Sequence, residues 1–140
     1  MLTVMNKDMY TLLYHKADHF IQRAPLQYFD VTPFDLPNAG GVYIISLKEN
    51  DGTEAHLAIN FTDNLRNEIF TKRDAFLATF KGNNIKFVKG KGPRFVKHSE
   101  SLQHLQENCL LRFIVETDLK EQLALTAVVA AKLRPWSNGN

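Results

Sequence analysis

The stretch "GGVYIISL" at residues 40–47 decides the reading of the fold. Val42 to Leu47 is apolar except for Ser46 and rich in β-branched and aromatic residues, which suit a pleated, buried strand. Two glycines precede it, and "KENDGTE" (48–54) follows as a hairpin turn built from turn-forming residues. The next apolar run, His56 to Phe61, is then expected to fold back as an antiparallel strand. "TDNLRNEIFTKRDAFLATF" (62–80) reads as a helix capped by Thr62 or Asp63, with Leu65, Ile69, Phe76 and Phe80 on its apolar side.

Outward from this unit the chain keeps alternating elements. Residues 6–23 place Met9, Leu13, Ala17 and Phe20 at helical spacing, with Asn6 available as a cap and Pro25 as a stop. A connector containing Pro33 and Pro37 leads into the first strand. "NNIKFVKGKGPRFVKH" (83–98) reads as a second hairpin with a Gly-Lys-Gly-Pro tip. A short helix around "ESLQHLQ" precedes "CLLRFIVE", a largely buried strand. "DLKEQLALTAVVAAKL" (118–133) then reads as a helix apolar on most sides. The expectation is a single domain of 140 residues and α/β (α+β) class. A small, mostly antiparallel sheet is flanked by helices. Residues 1–35 add an N-terminal helical extension packed on the core, and 36–140 form the main domain.

Composition narrows the setting. The single cysteine, Cys109, excludes a disulfide framework and a cysteine-based zinc site, and makes a reducing cytoplasmic setting the default. The first 13 residues lack a basic segment followed by an apolar run, so no signal peptide is expected. No run of about 18 apolar residues exists, which argues against a membrane partner. The formal charge is +2, but Lys81, Lys86, Lys89, Lys91, Arg94 and Lys97 give residues 81–97 a charge of +6 without an acid, leaving −4 for the rest.

Three local stretches give this order of elements a family likeness. "LPNAGGVYIISL" (36–47), "LAINFTDNLRNEI" (57–69) and "FIVETDLKEQLALTAVVAAKLRPWSN" (113–138) resemble the first strand, the second strand and helix, and the closing strand and helix of the GIY-YIG nuclease domain. The closing segment ends on a Leu-x-Pro-x-x-Asn pattern at Leu133, Pro135 and Asn138. The resemblance covers roughly residues 36–138. It implies a DNA phosphodiesterase using one divalent metal ion, Mg²⁺ or Mn²⁺. In such a site a tyrosine helps to generate the nucleophile, an arginine neutralises the phosphate and a glutamate on the last helix holds the metal. A phosphodiester gains negative charge on its oxygens during attack, which is why a cation and an arginine are effective there.

Carried over position by position, the first tyrosine falls on Tyr43, which is present. The second falls on Ala58, the glycine after it on Asn60, the arginine on Glu68 and the metal-binding glutamate on Thr126. Strand alternation places His56 on the face of Ala58 and Asn60, so Tyr43 and His56 are the remaining catalytic candidates, histidine being able to act as a base near neutral pH. Lys72 lies one turn past Glu68 as a source of positive charge. Without the metal carboxylate, a fold that no longer cuts and needs no cofactor is the better expectation, since fold membership does not establish activity.

The basic hairpin is then the leading binding candidate. Lys86, Lys89, Lys91, Arg94 and Lys97 interleave with Phe87 and Phe95, as expected for salt-dependent contact with a nucleic-acid backbone. A solvated edge hairpin, or one that meets an acidic protein, are the alternatives. Three functions therefore stay open: a degenerate domain that binds DNA or a nucleic-acid complex, a small protein-binding adaptor or inhibitor, and a divergent metal-dependent endonuclease. His15 and His19 at i, i+4 lack a third ligand and read as a solvated helix face, and His98 and His104 as surface residues. Trp136 reads as a packing anchor.

Overall fold

A computed structural model describes residues 7–49, 51–83, 85–88, 92–95 and 98–133, with side chains described outside 76 and 79–102. Helix α1 (Lys7–Ile21) is followed by a two-residue strand β1 (Leu26–Gln27) and two 3-10 turns, Tyr28–Asp30 and Pro33–Asp35. Strands β2 (Gly41–Lys48) and β3 (Glu54–Thr62) form the expected hairpin, and helix α2 spans Leu65–Asn83. Strands β4 (Ile85–Val88) and β5 (Gly92–Phe95) precede helix α3 (His98–Asn108), strand β6 (Cys109–Val115) and helix α4 (Leu119–Leu133).

The fold is α+β, with an antiparallel four-stranded sheet ordered β1-β6-β2-β3. β2 lies in its middle, and its apolar residues alternate between two cores. Tyr43, Ile45 and Leu47 meet Leu65 and Ile69 of α2, Leu105 of α3, and Tyr28, Val31 and Leu36 of the lead-in. Val42 and Ile44 meet Leu13, Ala17 and Phe20 of α1 and Leu125 and Val129 of α4. A strand covered on both faces reads as a continuous apolar run, which is what "VYII" displays. The glycine that starts the strand is a packing requirement: a Cβ on Gly41 would stand 2.1 Å from the Ile114 carbonyl oxygen and 2.6 Å from Leu65 Cδ1. In the β2–β3 turn Gly52 adopts a positive φ of 86°, which glycine takes without steric cost.

Several expectations are corrected. Neither Thr62 nor Asp63 caps α2; Asn64 does, its Oδ1 accepting from the Asn67 amide at 3.0 Å, while Thr62 Oγ1 accepts from the Asn64 amide at 3.1 Å. Met9 is exposed on α1, and α4, although apolar on most sides, is buried on one side only, with Leu119 and Leu123 exposed. The connector supplies part of the sheet, since Leu26 and Gln27 pair with Leu111 and Leu110. His104 is buried rather than on the surface. Asn6 and Trp136 lie outside the described residues, as do the side chains of Phe76 and Phe80. Among the described residues no helix is long and apolar enough to cross a membrane.

Candidate functional site

Tyr43 stands at the start of the central strand, facing α2 and fully buried. Its hydroxyl donates to Glu68 Oε2 at 2.5 Å, and Asn60 is its cross-strand partner on β3. Burial pushes the phenol far above its ordinary range; the hydrogen bond to Glu68 and the carboxylate's charge push the same way, against a small opposing effect of Asn60. A hydroxyl that donates to a carboxylate and resists ionisation is poorly suited to generating a nucleophile. Ala58 joins the same core without a hydroxyl to offer. The position that the family resemblance assigns to a phosphate-binding arginine thus carries the acceptor that locks the tyrosine.

The other expected members are elsewhere. Thr126 lies on α4, which packs on the Val42–Ile44 face, so the sheet stands between it and Tyr43. Its hydroxyl bonds back to the Gln122 carbonyl at 2.7 Å. His56 is also on that far face, which corrects the pairing with Tyr43. The cause is a β-bulge: Ile45 pairs with Ala58 but Ser46 pairs with His56, leaving Leu57 as an extra residue. An extra residue reverses the in–out alternation beyond it, so both Leu57 and Ala58 turn to the Tyr43 core while His56 turns away.

On the far face His56 enters a cluster that the sequence reading missed. Its Nδ1 is 3.0 Å from Ser46 Oγ. Arg112 of β6, the cross-strand partner of Ile44, grips Glu54 of β3 with two hydrogen bonds, Nη1 to Oε1 at 2.7 Å and Nη2 to Oε2 at 3.1 Å. The Arg112 Nε donates to the Arg23 carbonyl at 2.8 Å. Burial tends to raise the Glu54 carboxyl, but hydrogen bonds from Arg112 and Ser46 and the guanidinium charge outweigh it and hold it below the usual carboxylate range. Burial lowers His56, with Glu54 opposing and Arg112 adding to the effect, which favours the neutral imidazole. Glu54, His56 and Arg112 line a cleft of about 280 Å³, together with Ile21, Ile44, Leu133 and the Gly52–Thr53 turn. The available signal was polarity in apolar runs: Ser46 in "GVYIISL" and Arg112 in "CLLRFIVE".

Comparison of the chain with protein-family models, curated proteins and solved structures gave no match. The assignment of roles therefore rests on the chain's own chemistry. Among the described residues no group of three or more His, Cys, Asp or Glu side chains is placed to hold a metal ion. At the Tyr43 position the carboxylate is Glu68, which the tyrosine engages, and Thr126 offers a hydroxyl on the other face. This donor set does not fit the divalent ion implied by the family resemblance, since hard cations need several oxygen ligands around one point.

The basic segment is separate from the main sheet. β4 and β5 form a two-stranded antiparallel ribbon in which Lys86 and Arg94 occupy directly opposite register positions. Lys89, Lys91 and Lys97 lie outside the described residues.

Proposed function

We propose that this chain is a catalytically degenerate GIY-YIG-like domain that binds DNA or a nucleic-acid complex through its basic hairpin. The observation that carries the reading is the acid-free segment 81–97, whose described part is a ribbon outside the four-stranded sheet with Lys86 opposite Arg94. Like charges at directly opposite positions destabilise a two-stranded ribbon. A polyanion relieves that repulsion while gaining the entropy of counterion release. The Tyr43–Glu68 bond supports the non-cutting half of the reading.

Fluorescence anisotropy with a labelled duplex tests it. With three to four phosphate contacts, affinity is expected to fall about 40- to 150-fold between 50 and 200 mM salt. Lys89→Ala, Lys91→Ala and Arg94→Ala combined are expected to remove most of that slope, about one unit per contact. Salt-insensitive binding, or none at low salt, overturns the proposal. Supercoiled plasmid incubated with Mg²⁺ or Mn²⁺ is expected to remain uncut; cutting that disappears in Tyr43→Phe replaces the reading with a divergent endonuclease. A protein-binding adaptor is the second reading, favoured by the exposed Met9, Tyr10 and Leu12 of α1. A stoichiometric protein partner that survives nuclease treatment selects it.

A further inference from the structure

The four-stranded sheet ends on β3, and among the described residues no strand lies beyond it. From Ala55 to Thr62 this edge holds no Asp, Glu, Lys, Arg or Pro, the residues that usually discourage a second strand from pairing. The register shows which backbone groups it offers. The Gly40 carbonyl accepts from the Glu116 amide at 3.0 Å and so faces β6, and alternation turns the N–H and C=O of Val42 and Ile44 the same way. Their partners on β3, Phe61 and Ile59, therefore take no ladder bonds from β2 and point their own groups outward. The Phe61 amide agrees, since it donates to Asn60 Oδ1 at 2.9 Å instead. Asn60 is the exposed residue of the strand.

A helix face continues this edge. α1 packs on β6, while α4 packs on β2 and β3. Lys132 of α4 reaches Tyr14 and Asp18 of α1. Leu123 lies nine residues earlier, about 900° of rotation at ~100° per residue, and so on the opposite side of α4, toward the open edge. Leu119, Leu123 and Ala127 stand exposed on α4, and Ile59 and Phe61 pack against the cluster that holds its Leu125 and Val129.

We propose that a second copy of this chain covers this surface, β3 pairing antiparallel with β3 about a two-fold axis at Asn60. The bulge at Leu57 ends the regular run and leaves residues 58–62, whose midpoint is Asn60. With Asn60 opposite its own copy, Ile59 meets the second copy's Phe61 in a hydrogen-bonded pair on each side of the axis. The outward groups of both residues are then satisfied once Asn60 releases the Phe61 amide. The two Asn60 side chains, in a closely spaced pair, bond amide to amide in exchange. Each Ile59–Phe61 pair joins a β-branched to an aromatic side chain on the α4 face, where Leu119 and Leu123 of both copies border it. The seam is self-complementary in charge as well, since neither strand brings an ion that pairing would bury. The inference is independent of the hairpin and of the nucleic-acid reading.

Sedimentation velocity over a dilution series tests it. The wild type is expected to dimerise reversibly. Asn60→Asp and Asn60→Lys each set like charges directly opposite one another and are expected to weaken the dimer about fivefold or more. An equimolar mixture of the two variants is expected to restore it as a heterodimer, because the opposed charges now attract. Oxidised Asn60→Cys is expected to give a covalent dimer that the wild type, whose Cys109 is buried, does not form. A wild type that stays monomeric at every concentration, a dimer insensitive to both charged variants, or a mixture no tighter than either variant alone overturns the proposal.

Discussion

Gly41→Ala is expected to cost about 3 kcal/mol or more of folding stability, the largest effect of any single methyl addition argued for this chain. The added Cβ would lie 2.1 Å from the Ile114 oxygen and 3.1 Å from its carbonyl carbon, and both belong to a paired strand rather than to a pliant side chain. The third contact, Leu65 Cδ1 at 2.6 Å, belongs to a fully buried residue at the start of α2. Relief therefore requires β2 to separate from β6 at the Gly41–Val115 pair or α2 to lift from the sheet. Either movement disturbs the core that holds Tyr43. Urea denaturation followed by far-UV circular dichroism measures the loss; a midpoint within 0.3 M of wild type would show that the strands accommodate the methyl. The result would also explain the second glycine of "GGVYIISL" by packing alone, with no catalytic role needed for it.

Part of the fold was legible because one physical pattern carried it. The buried centre of the sheet shows in "VYII" and in the "CLL" that opens β6, since a strand covered on both faces has no polar side to interrupt the run. The turn around Gly52 was legible for the same kind of local reason. The two-residue strand at Leu26–Gln27 was not: it exists through pairing with Leu110 and Leu111, more than 80 residues away, and two residues carry no periodicity. The candidate site failed at a single residue. Alternation along "EAHLAIN" puts His56 with Ala58 and Asn60, and nothing in those letters announces that Leu57 is bulged. One extra residue moved the histidine from the Tyr43 core to the far face. Glu68 was legible as a charge reversal; its bond to Tyr43 required the helix to be seen against the strand.

Arg112→Met is expected to cost about 2–3 kcal/mol at neutral pH, somewhat below the loss typical of breaking a fully buried pair because Glu54 keeps a quarter of its side-chain exposure. The cost arises from what remains. Glu54 loses both guanidinium bonds and is left partly buried without its counter-charge, while the Arg23 carbonyl loses its donor. Adding Glu54→Gln is expected to return much of the loss, because the double variant leaves no uncompensated charge. The pH dependence carries the same signature. In the wild type Glu54 has a lowered folded pKa, so its stabilisation is fully present above the ordinary carboxylate pKa and is lost as pH falls through the lower folded value. His56 acts in the same direction: its folded pKa is lowered, so acid below about 6.5 protonates the unfolded chain first and drains stability. Removing Arg112 takes away one influence that lowers His56 and leaves the Glu54 charge that raises it. The His56 titration followed by NMR should therefore move upward in Arg112→Met. If it stays in place while stability falls, Arg112 acts by packing and the electrostatic account of the cluster is wrong. If it rises and Glu54→Gln brings it back, the guanidinium–carboxylate pair governs the protonation of the histidine that faces the cleft.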